Sequence, residues 1–320
     1  MAKTTVVIPN YNGIGYLEAC IRSVLESTVK CDILVVDNGS SDGSREMVKK
    51  EFPEVALIEF SKNTGFCHAV NAGITESKTE YVMLLNNDTT VSPDAIELLE
   101  KQMDSHKKIF SVQAKMVQMS NPELIDSAGD FYCALGWAYS YGKDKPSKDY
   151  FGVKSIFSAC GGAALYRKKV FDEIGLFDEN HFCYLEDVDI GYRARIFGYL
   201  NYVCLDSLIY HAGSGASGSR YNEFKVTYSS RNSVYLIYKN IPIIQFIFNL
   251  PLILIGFVIK TIFFYNKKLG KTYVKGLCEG MKLSFSEEGR KHKVKYSNSH
   301  LSTYIAIEVM LIYYSFKRFF

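Results

Sequence analysis

Three groups of polar side chains stand where apolar segments of the sequence stop. The tripeptide NND at 86–88 follows directly after the apolar run at 81–85. Glu186 and Asp187 follow the apolar and aromatic segment HFCYL in the same way, and His211 closes the segment YVCLDSLIYH. Carboxylate and imidazole groups are common acid–base groups in enzymes, and both also bind cations. The elements that carry these residues decide whether they meet in the fold.

The first hundred residues alternate between short apolar runs and segments with apolar residues at helical spacing. This alternation predicts parallel strands covered on both faces and joined by right-handed crossovers into an open, twisted sheet. Ligands of such sheets bind beyond the carboxyl ends of the strands. The predicted strands are TTVVIP, DILVVD, ALIEF and YVMLL, and the predicted helices between them are GYLEACIRSVLEST, SREMVKKEF and CHAVNAGITES.

All four predicted strands are followed by polar residues, in the segments PNYN, DNGS, KNTGF and NND. The first strand is not followed by the glycine pattern of dinucleotide-binding proteins, and the sequence has no P-loop motif. Asn, Asp and Gly also favour ordinary turns, so DNGSSDGS alone is explained as a loop and helix cap. Four polar endings on one sheet edge favour a binding site, and a nucleotide bound there would have to be held by other chemistry.

The middle of the chain is aromatic, rich in glycine and without clear period. Residues 111–160 are predicted to form hairpins and a mobile loop. Trp137, the only tryptophan, has two interpretations: stacking on a sugar ring, or packing in the core. Gly161 and Gly162 precede an apolar strand, where they allow close backbone approach or form a bulge.

A second polar constellation follows. The segment EDVDIGYRARIFG predicts a helix with acidic residues in its first turn, Asp189 four residues before Arg193, and Gly198 as a stop. A favourable interaction of those acids with the helix dipole is the alternative to a catalytic role. The segment 212–220 consists mostly of small residues and is predicted to act as a lid.

Composition indicates a globular chain with a separate basic end. The 320 residues are 48% hydrophobic with a net charge of +3, which suffices for a large core. Residues 266–320 hold 11 lysines and arginines against four acidic residues, so the rest of the chain is acidic. Eight cysteines are scattered singly, without CxxC pairs or a signal peptide before them, which predicts free thiols in a reducing cytosolic setting.

Eight ordered motifs give the chain a family resemblance. With their spacing, they resemble the inverting GT-A glycosyltransferases of family 2, and most closely the rhamnosyltransferase-like branch of bacterial cell-surface polysaccharide synthesis. The resemblance covers roughly residues 4–240. The motifs are VVIPNYNG, VVDNGSSDGS, NTGFCHAVNAGI, YVMLLNNDTT, DSAGD, GGAALYRKKVFDEIGLFDE, YLEDVDIGYRARIFG and YHAGS.

The resemblance implies an α/β fold of GT-A type, a Rossmann-like open twisted sheet of the nucleotide-diphospho-sugar transferase kind, with a C-terminal, mostly helical extension. We expect a catalytic domain over 1–240, with a nucleotide-binding half at 1–100 and an acceptor half at 101–240. The remaining region, 241–320, is expected to be helical.

The resemblance also implies roles for individual residues. Asp88 would hold a divalent cation, Mn²⁺ or Mg²⁺, with His211 as the second protein ligand. Asn86 stands where the family pattern has an acid, so it offers a carbonyl oxygen without charge. Asp187 would be the general base, with Glu186 and Trp137 on the acceptor side. The donor nucleotide and diphosphate would be bound by Pro9, Tyr11, Asp37, Asn63, Gly65, Asn71, Asn86, Asn87 and the cation Arg231.

The C-terminal region differs in kind. The apolar segment at 243–264 approaches the length of a membrane span, but Gln245, Asn249, Pro251 and Lys260 interrupt it and favour a helix in the membrane plane. Basic residues interleaved with aromatic ones suit an anionic membrane surface. The alternatives are an ordinary helical subdomain and a homodimer interface. Nucleic acid is the weaker interpretation, because the aromatic residues accompany aliphatic ones.

Together these features predict a metal-dependent inverting glycosyltransferase on the cytoplasmic side of the cell membrane. The expected reaction moves L-rhamnose from dTDP-L-rhamnose to a hydroxyl of a lipid-linked glycan. Three alternatives remain open. They are a UDP-sugar transferase of the same fold, a nucleotidyltransferase, for which NYNGIGY lacks a cation, and a non-catalytic assembly subunit.

Overall fold

The structure, a computed structural model, describes residues 2–213 and 221–319. Its strands are β1 (Thr4–Asn10), β2 (Asp32–Asp37), β3 (Ala56–Glu59), β4 (Tyr81–Leu85), β5 (Thr89–Val91), β6 (Ile109–Gln118), β7 (Asn121–Ser127), β8 (Asp130–Cys133), β9 (Trp137–Ser140), β10 (Val153–Ser155), β11 (Ala163–Arg167) and β12 (Leu200–His211). Its α-helices are α1 (Leu17–Leu25), α2 (Ser44–Glu51), α3 (Phe66–Glu76), α4 (Ala95–Asp104), α5 (Phe171–Ile174), α6 (Glu186–Ile196), α7 (Glu223–Asn240), α8 (Ile243–Asn266), α9 (Gly270–Phe285), α10 (Glu287–Lys291) and α11 (Leu301–Phe319). The predicted lid falls mostly on residues 214–220, outside the described residues.

The four predicted N-terminal strands form the parallel half of one sheet. β1 pairs in parallel with both β2 and β4, and β2 pairs in parallel with β3. The apolar, often β-branched side chains of β1, β2 and β4 are buried on both faces, as expected for parallel strands beneath helices, whereas β3 at the edge of the sheet is partly exposed. The predicted α/β architecture is confirmed.

The second half of the chain makes the sheet mixed. The strand order is β10-β12-β6-β11-β4-β1-β2-β3, with β11 antiparallel to both β4 and β6. The predicted hairpins of the middle region are present as the antiparallel pairs β6–β7 and β8–β9. The end of β12 pairs with β5, so that His211 lies opposite Thr89, the residue after Asp88.

Two apolar layers cover the sheet. One includes residues of α1, α2 and α4, such as Leu17, Val48 and Leu99. The other includes residues of α3, α6, α7, α8 and α11, such as Val70 and Leu311. The C-terminal helices therefore share a core with the sheet.

Helix α8 packs closely on the turn between β8 and β9. A Cβ at Gly256 would lie 2.2 Å from the carbonyl oxygen of Leu135, so only glycine permits this approach. Trp137 is 8% exposed, and its indole Nε1 donates to the carbonyl oxygen of Gly256 at 3.2 Å. The sugar-stacking interpretation of Trp137 is corrected, because helix α8 buries the ring; packing in the core, the other interpretation, holds.

The polar residues that interrupt the apolar run of α8 face the protein. Asn249 donates to the Glu308 carboxylate at 2.9 Å, and Gln245 bonds the same carboxylate. Lys260 lies over the Trp137 ring at 5.5 Å from its centroid. The outward residues of α8 are apolar and exposed, including Ile243, Ile244, Ile247, Phe248, Leu254, Ile255, Val258 and Ile262. Among the described residues, α8 alone is long and apolar enough to cross a membrane.

Candidate functional site

A buried carboxylate–imidazole–carboxylate chain lies where β4 and β12 end. The Nε2 atom of His211 lies 3.2 Å from Oδ1 of Asp88, and its Nδ1 lies 2.8 Å from Oδ2 of Asp126. Lys143 forms an ion pair with the other oxygen of Asp126. The pairing of β12 with β5 brings the first two residues together, and β7 supplies Asp126.

The charged groups in this series of side chains stabilise one another. Burial lowers the pKa of His211, but hydrogen bonds to Asp126 and Asp88 overcome that effect and raise it to about 9. Burial raises the pKa of Asp126, yet hydrogen bonds from His211 and Lys143 bring it down to about 2. A carboxylate is a ligand that Mn²⁺ and Mg²⁺ prefer, and the His211 imidazole can join it when a bound cation displaces the Nε2 proton and substrate phosphates complete the shell. Asp88 and His211 therefore fit a divalent cation.

A network of amides connects the Asp88–His211–Asp126 series to the first two strands. Asn87 donates to Oδ1 of Asn10 at 2.7 Å, and the Asn10 amide donates to Oδ2 of Asp37 at 2.9 Å. The backbone N–H of Ser40 donates to the other oxygen of Asp37 at 2.9 Å. Arg45 also pairs with Oδ1 of Asp37, at 3.4 Å, so about one of the four acceptor positions of this carboxylate is left for a ligand. A Cβ at Gly13 would lie 2.0 Å from Asn87 Nδ2, so the loop passes directly over this network.

Among the other residues that were predicted to bind the nucleotide, Pro9, Tyr11, Asn63 and Gly65 form one group, and Asn71 differs from them. Pro9 is the second-last residue of β1, and Tyr11, which follows the strand, is 45% exposed. Asn63 is exposed, and its Oδ1 accepts from the N–H of Gly65 at 2.9 Å. These positions are compatible with contact to a ligand at the edge of the sheet.

Asn71 differs from the prediction. Its Nδ2 donates to the carbonyl oxygen of Phe177 at 2.8 Å and to Glu179 at 3.1 Å, and its Oδ1 accepts from the N–H of Phe177 at 3.0 Å. The expected diphosphate contact is corrected, since the amide is committed to the segment after α5 and is nearly buried.

Gly161 and Gly162 link the end of β4 to a second acidic cluster. The N–H of Asn86 donates to the carbonyl oxygen of Gly162 at 2.9 Å, and a Cβ at Gly162 would lie 2.9 Å from Asn86 Nδ2. Two residues before it, the Cys160 thiol lies within 4.8 Å of the carboxyl groups of Asp130 and Asp187. Since two peptide units span at most about 7 Å, this connection keeps Asp187 in the neighbourhood of the end of β4.

Asp187, the second residue of helix α6, lies in an environment suited to a base. Its Oδ1 accepts from the N–H of Val188 at 2.7 Å. Burial raises its pKa to about 6, although hydrogen bonds with Val188, Cys160 and Asp130 oppose the shift. Beside it, Glu186 is buried, and its Oε2 has no hydrogen-bond partner among the described residues. Burial and the Asp187 charge raise the pKa of Glu186 well above its usual range.

The loop before α6 is strained. Phe182, Tyr184 and Leu185 have φ angles of 61°, 68° and 67°, a region that side chains larger than glycine rarely adopt. The amide of Asn232 donates to the carbonyl oxygens of His181, Cys183 and Tyr184 at 2.7–2.9 Å. Helix α7 thus holds this loop in place.

Arg231, like Asn232, holds the loop before α6 in place. Its Nη2 donates to the carbonyl oxygens of Asn180 at 2.6 Å and His181 at 2.9 Å, and its Nε donates to Asn232. Its Nη1 forms no hydrogen bond to the described residues. Contact with a phosphate therefore stays a prediction for the remaining donors of this guanidinium.

A buried ionic network lies beneath α6. Lys239 donates to Asp178 at 2.7 Å and to Asp189 at 2.9 Å, and all three side chains are buried. Arg193 forms the predicted ion pair with Asp189 at 2.8 Å. This network fixes the first turns of α6 relative to α7, and with them Asp187.

Sequence reasoning missed Asn10, Asp126 and Asp130. The two acids stand in the motif DSAGD, whose position at the end of one strand and the start of the next was the available signal. Asn10 directly precedes Tyr11 in a motif that was recognised, yet it carried no assigned role.

Comparison with known proteins places this geometry in a class. The chain superimposes on GalNAc-T7 with UDP, GalNAc and Mn²⁺ with a TM-score of 0.60 at 17% identity, covering 74% of this chain and 48% of that one. It also superimposes on the mannosyltransferase PcManGT from Pyrobaculum calidifontis in complex with GDP-Man and Mn²⁺, with a TM-score of 0.56 at 15% identity and coverage of 97% and 86%. The fold is therefore that of the GT-A glycosyltransferases.

The family follows from the sequence comparisons. Residues 5–175 match the model of glycosyl transferase family 2, and the chain belongs to that family. An N-acetylglucosaminyl-diphospho-decaprenol L-rhamnosyltransferase of Mycobacterium tuberculosis (strain CDC 1551 / Oshkosh) is 26% identical over 235 residues, covering 64% of this chain and 75% of the relative. The protein is a glycosyltransferase that uses a nucleotide sugar.

Proposed function

We propose that this glycosyltransferase moves L-rhamnose from dTDP-L-rhamnose to a hydroxyl of a lipid-linked glycan, with inversion at the anomeric carbon. The observation that carries the proposal is the short connection from Asn86 through Gly162 and Cys160 to Asp187. It joins Asp88 and His211, the pair that would bind a cation, to the Asp187 carboxyl, whose pKa is raised by burial to about 6. Cell-surface polysaccharide assembly is the process that such a transfer would serve.

Asp88 and His211 would hold the divalent cation, Mn²⁺ or Mg²⁺. When bound, the cation would supply positive charge that stabilises the departing diphosphate. Asp126 keeps the His211 ring oriented, and the free Nη1 donors of Arg231 would bind a phosphate oxygen. Asn86 would contribute a neutral carbonyl oxygen.

The donor base would lie against the first two strands. Asp37 would accept from the N3–H of thymine or uracil, and Tyr11 would cover the ring beside Pro9. Asn63, Gly65 and Asn87 would line the ribose and diphosphate. Because thymine and uracil offer nearly the same hydrogen-bonding edge, this pocket suits UDP-sugars as the alternative donors.

Asp187 would take the proton of the acceptor hydroxyl. The hydroxyl oxygen then bonds to the anomeric carbon as the bond from that carbon to the diphosphate oxygen breaks, and the nucleoside diphosphate departs with the electron pair. Glu186, held neutral by burial, would shape the acceptor pocket beside it.

The choice of L-rhamnose as the sugar and of a lipid-linked acceptor is supported by fewer observations. The mycobacterial relative is named for L-rhamnose transfer to a decaprenol-linked acceptor. The outward apolar face of α8 and the basic residues that follow it support an acceptor embedded in a membrane. We place the protein on the cytoplasmic side of the cell membrane, with residues 241–320 as its contact to anionic lipid.

The donor is tested by nucleoside diphosphate release from UDP-, dTDP- and GDP-sugars, dTDP-L-rhamnose included, with Mn²⁺ or Mg²⁺ and a detergent-solubilised polyprenyl-diphosphate glycan. We expect acceptor-dependent release from dTDP-L-rhamnose that stops on chelation. Turnover of a UDP-sugar instead would replace the donor assignment. Nucleotide binding without turnover of any donor would identify a non-catalytic subunit.

Membrane contact is tested by flotation with vesicles of anionic lipid. The double substitution Ile255→Glu and Val258→Glu places two charges on the outward face of α8, and we expect vesicle binding to fall at least about tenfold. Lys30→Glu, an exposed residue on the N-terminal half, changes the net charge equally and serves as the matched control. Equal binding of all three proteins would contradict the assignment of α8 to the membrane.

A further inference from the structure

The carboxyl groups of Asp130 and Asp187 face each other in the candidate site. One oxygen of each carboxyl group and the Cys160 thiol lie within 4.8 Å of one another, so the two carboxyl groups are direct neighbours. Among the described residues, neither acid has a salt-bridge partner. The backbone fixes Asp130: its N–H donates to the carbonyl oxygen of Ser158 at 3.0 Å, and its own carbonyl accepts from Phe157 at 2.9 Å.

We propose that Asp130 is a positioning residue for the general base: its protonated carboxyl donates to the Asp187 carboxylate, keeps that group ionised and directs its free oxygen toward the acceptor hydroxyl. The proposal rests on the function proposed above. Asp130 itself contacts the base and has no contact to the reacting atoms, so its effect passes through Asp187.

The surroundings decide which of the two acids carries the proton. Two carboxyl groups this close to each other do not both ionise readily, because the like charges repel. Asp187 has the N–H of Val188, the Cys160 thiol and the N-terminus of α6 to stabilise its charge. For Asp130, burial and the Asp187 charge raise the pKa well above its usual range. The shared proton therefore resides on Asp130.

The other titratable groups around the pair do not alter this assignment. Glu186 on α6, Cys160 before β11 and Tyr166 on β11 all have pKa values raised by burial, which keeps them neutral. Asp189, two residues further along α6 and on its opposite side, is ionised, but Arg193 and Lys239 compensate its charge.

The proton balance is simple. The acceptor proton moves to the free oxygen of Asp187 as the oxygen of the acceptor bonds to the anomeric carbon and the diphosphate leaves. Asp130 keeps its own proton throughout. Asp187 then releases the transferred proton to water before the next turnover.

Two substitutions separate this role from a structural one. Asp130→Asn is neutral and still donates, so it mimics the protonated acid; Asp130→Leu has similar size but donates nothing. We expect Asp130→Asn to keep kcat within about threefold and to leave the acid limb of the pH profile in place. Asp130→Leu is expected to lower kcat at least tenfold and to move that limb up by about one pH unit, with KM for the donor unchanged. Ser140→Ala, opposite Asp130 in the hairpin, controls for local folding.

Infrared difference spectra on the purified protein provide a readout that needs no turnover. At neutral pH the wild type should show the band of a protonated carboxyl that Asp130→Asn removes, whereas Glu186→Gln removes a different one. Retention of every protonated-carboxyl band in Asp130→Asn would overturn the proposal even if no donor is turned over. If Asp130→Leu is active and the acid limb of its pH profile stays at the wild-type position, the proposal is also overturned. Failure of all donors, with the infrared result intact, would instead count against the proposed transfer.

Discussion

Nδ1 of His211 lies 2.8 Å from Oδ2 of Asp126, which leaves Nε2 directed at Asp88, 3.2 Å away. A hydrogen bond to one imidazole nitrogen determines which nitrogen is available on the other side of the ring. Asp126 therefore prepares His211 to act together with Asp88. Lys143, paired with Asp126, holds the carboxylate in turn.

Removing this support is expected to weaken cation binding. Asp126→Ala should reduce Mn²⁺ affinity in the presence of nucleoside diphosphate by about 10–100-fold, because the His211 ring loses its orienting partner. Electron paramagnetic resonance of free Mn²⁺ measures the affinity directly. Glu123→Gln, an exposed position on the same strand, is the matched control and should bind as the wild type does. Equal affinity in Asp126→Ala would show that His211 needs no such support, or that it is no ligand.

The pH dependence of the reaction should report Asp187. Burial raises its pKa to about 6, and a general base acts only as the carboxylate. We expect kcat/KM to be constant above that value and to fall about tenfold for each pH unit below it. The measurement is the initial rate at low donor concentration between about pH 4.5 and pH 8. A flat profile through pH 6 would remove Asp187 as the base.

The hydrogen bonds from α7 to the strained loop before α6 should affect kcat more than they affect nucleotide affinity. Asn232→Ala removes the donor to three carbonyl oxygens and should cost about 1–3 kcal/mol of stability, with a larger loss in kcat than in nucleotide affinity as the loop leaves its positive φ angles. Ser233→Ala, whose hydroxyl bonds only within its own helix to Ser229, is the matched control. Thermal unfolding and steady-state kinetics on both variants test this. An unchanged kcat in a folded Asn232→Ala protein would contradict it.

Lys239 should be important for stability. Its ammonium group bonds two buried carboxylates, so Lys239→Met leaves Asp178 and Asp189 with less compensation, and we expect a loss of about 3–5 kcal/mol. Lys275→Met removes an exposed pair with Glu279 and should change stability by less than about 1 kcal/mol. Urea unfolding followed by circular dichroism compares the two. Similar midpoints would show that the buried network contributes little.

The sequence predicted what depends on local pattern. The first four strands and helix α6 carry periodic or contiguous apolar residues with turn-forming ends, and these elements lie where they were expected. The predicted free thiols are confirmed for all eight cysteines.

Contacts between distant residues escaped prediction. Asn87 meets Asn10 across 77 positions, and His211 meets Asp126 across 85, so no local pattern reveals either pair. Trp137 was open to a sugar-binding interpretation because helix α8, 119 positions away, could not be placed over it. Asn71 is of a residue type that often binds ligands, yet its amide bonds a backbone segment that begins more than 100 positions later.

The central claim is tested most directly by Asp187→Asn. The substitution keeps the shape of the side chain and its contact to Val188 but cannot accept a proton. We predict that transfer falls by about 10²–10⁴-fold while the nucleoside diphosphate binds with Mn²⁺ as tightly as in the wild type. Transfer by Asp187→Asn within about tenfold of the wild-type rate would contradict the assignment of Asp187 as the general base.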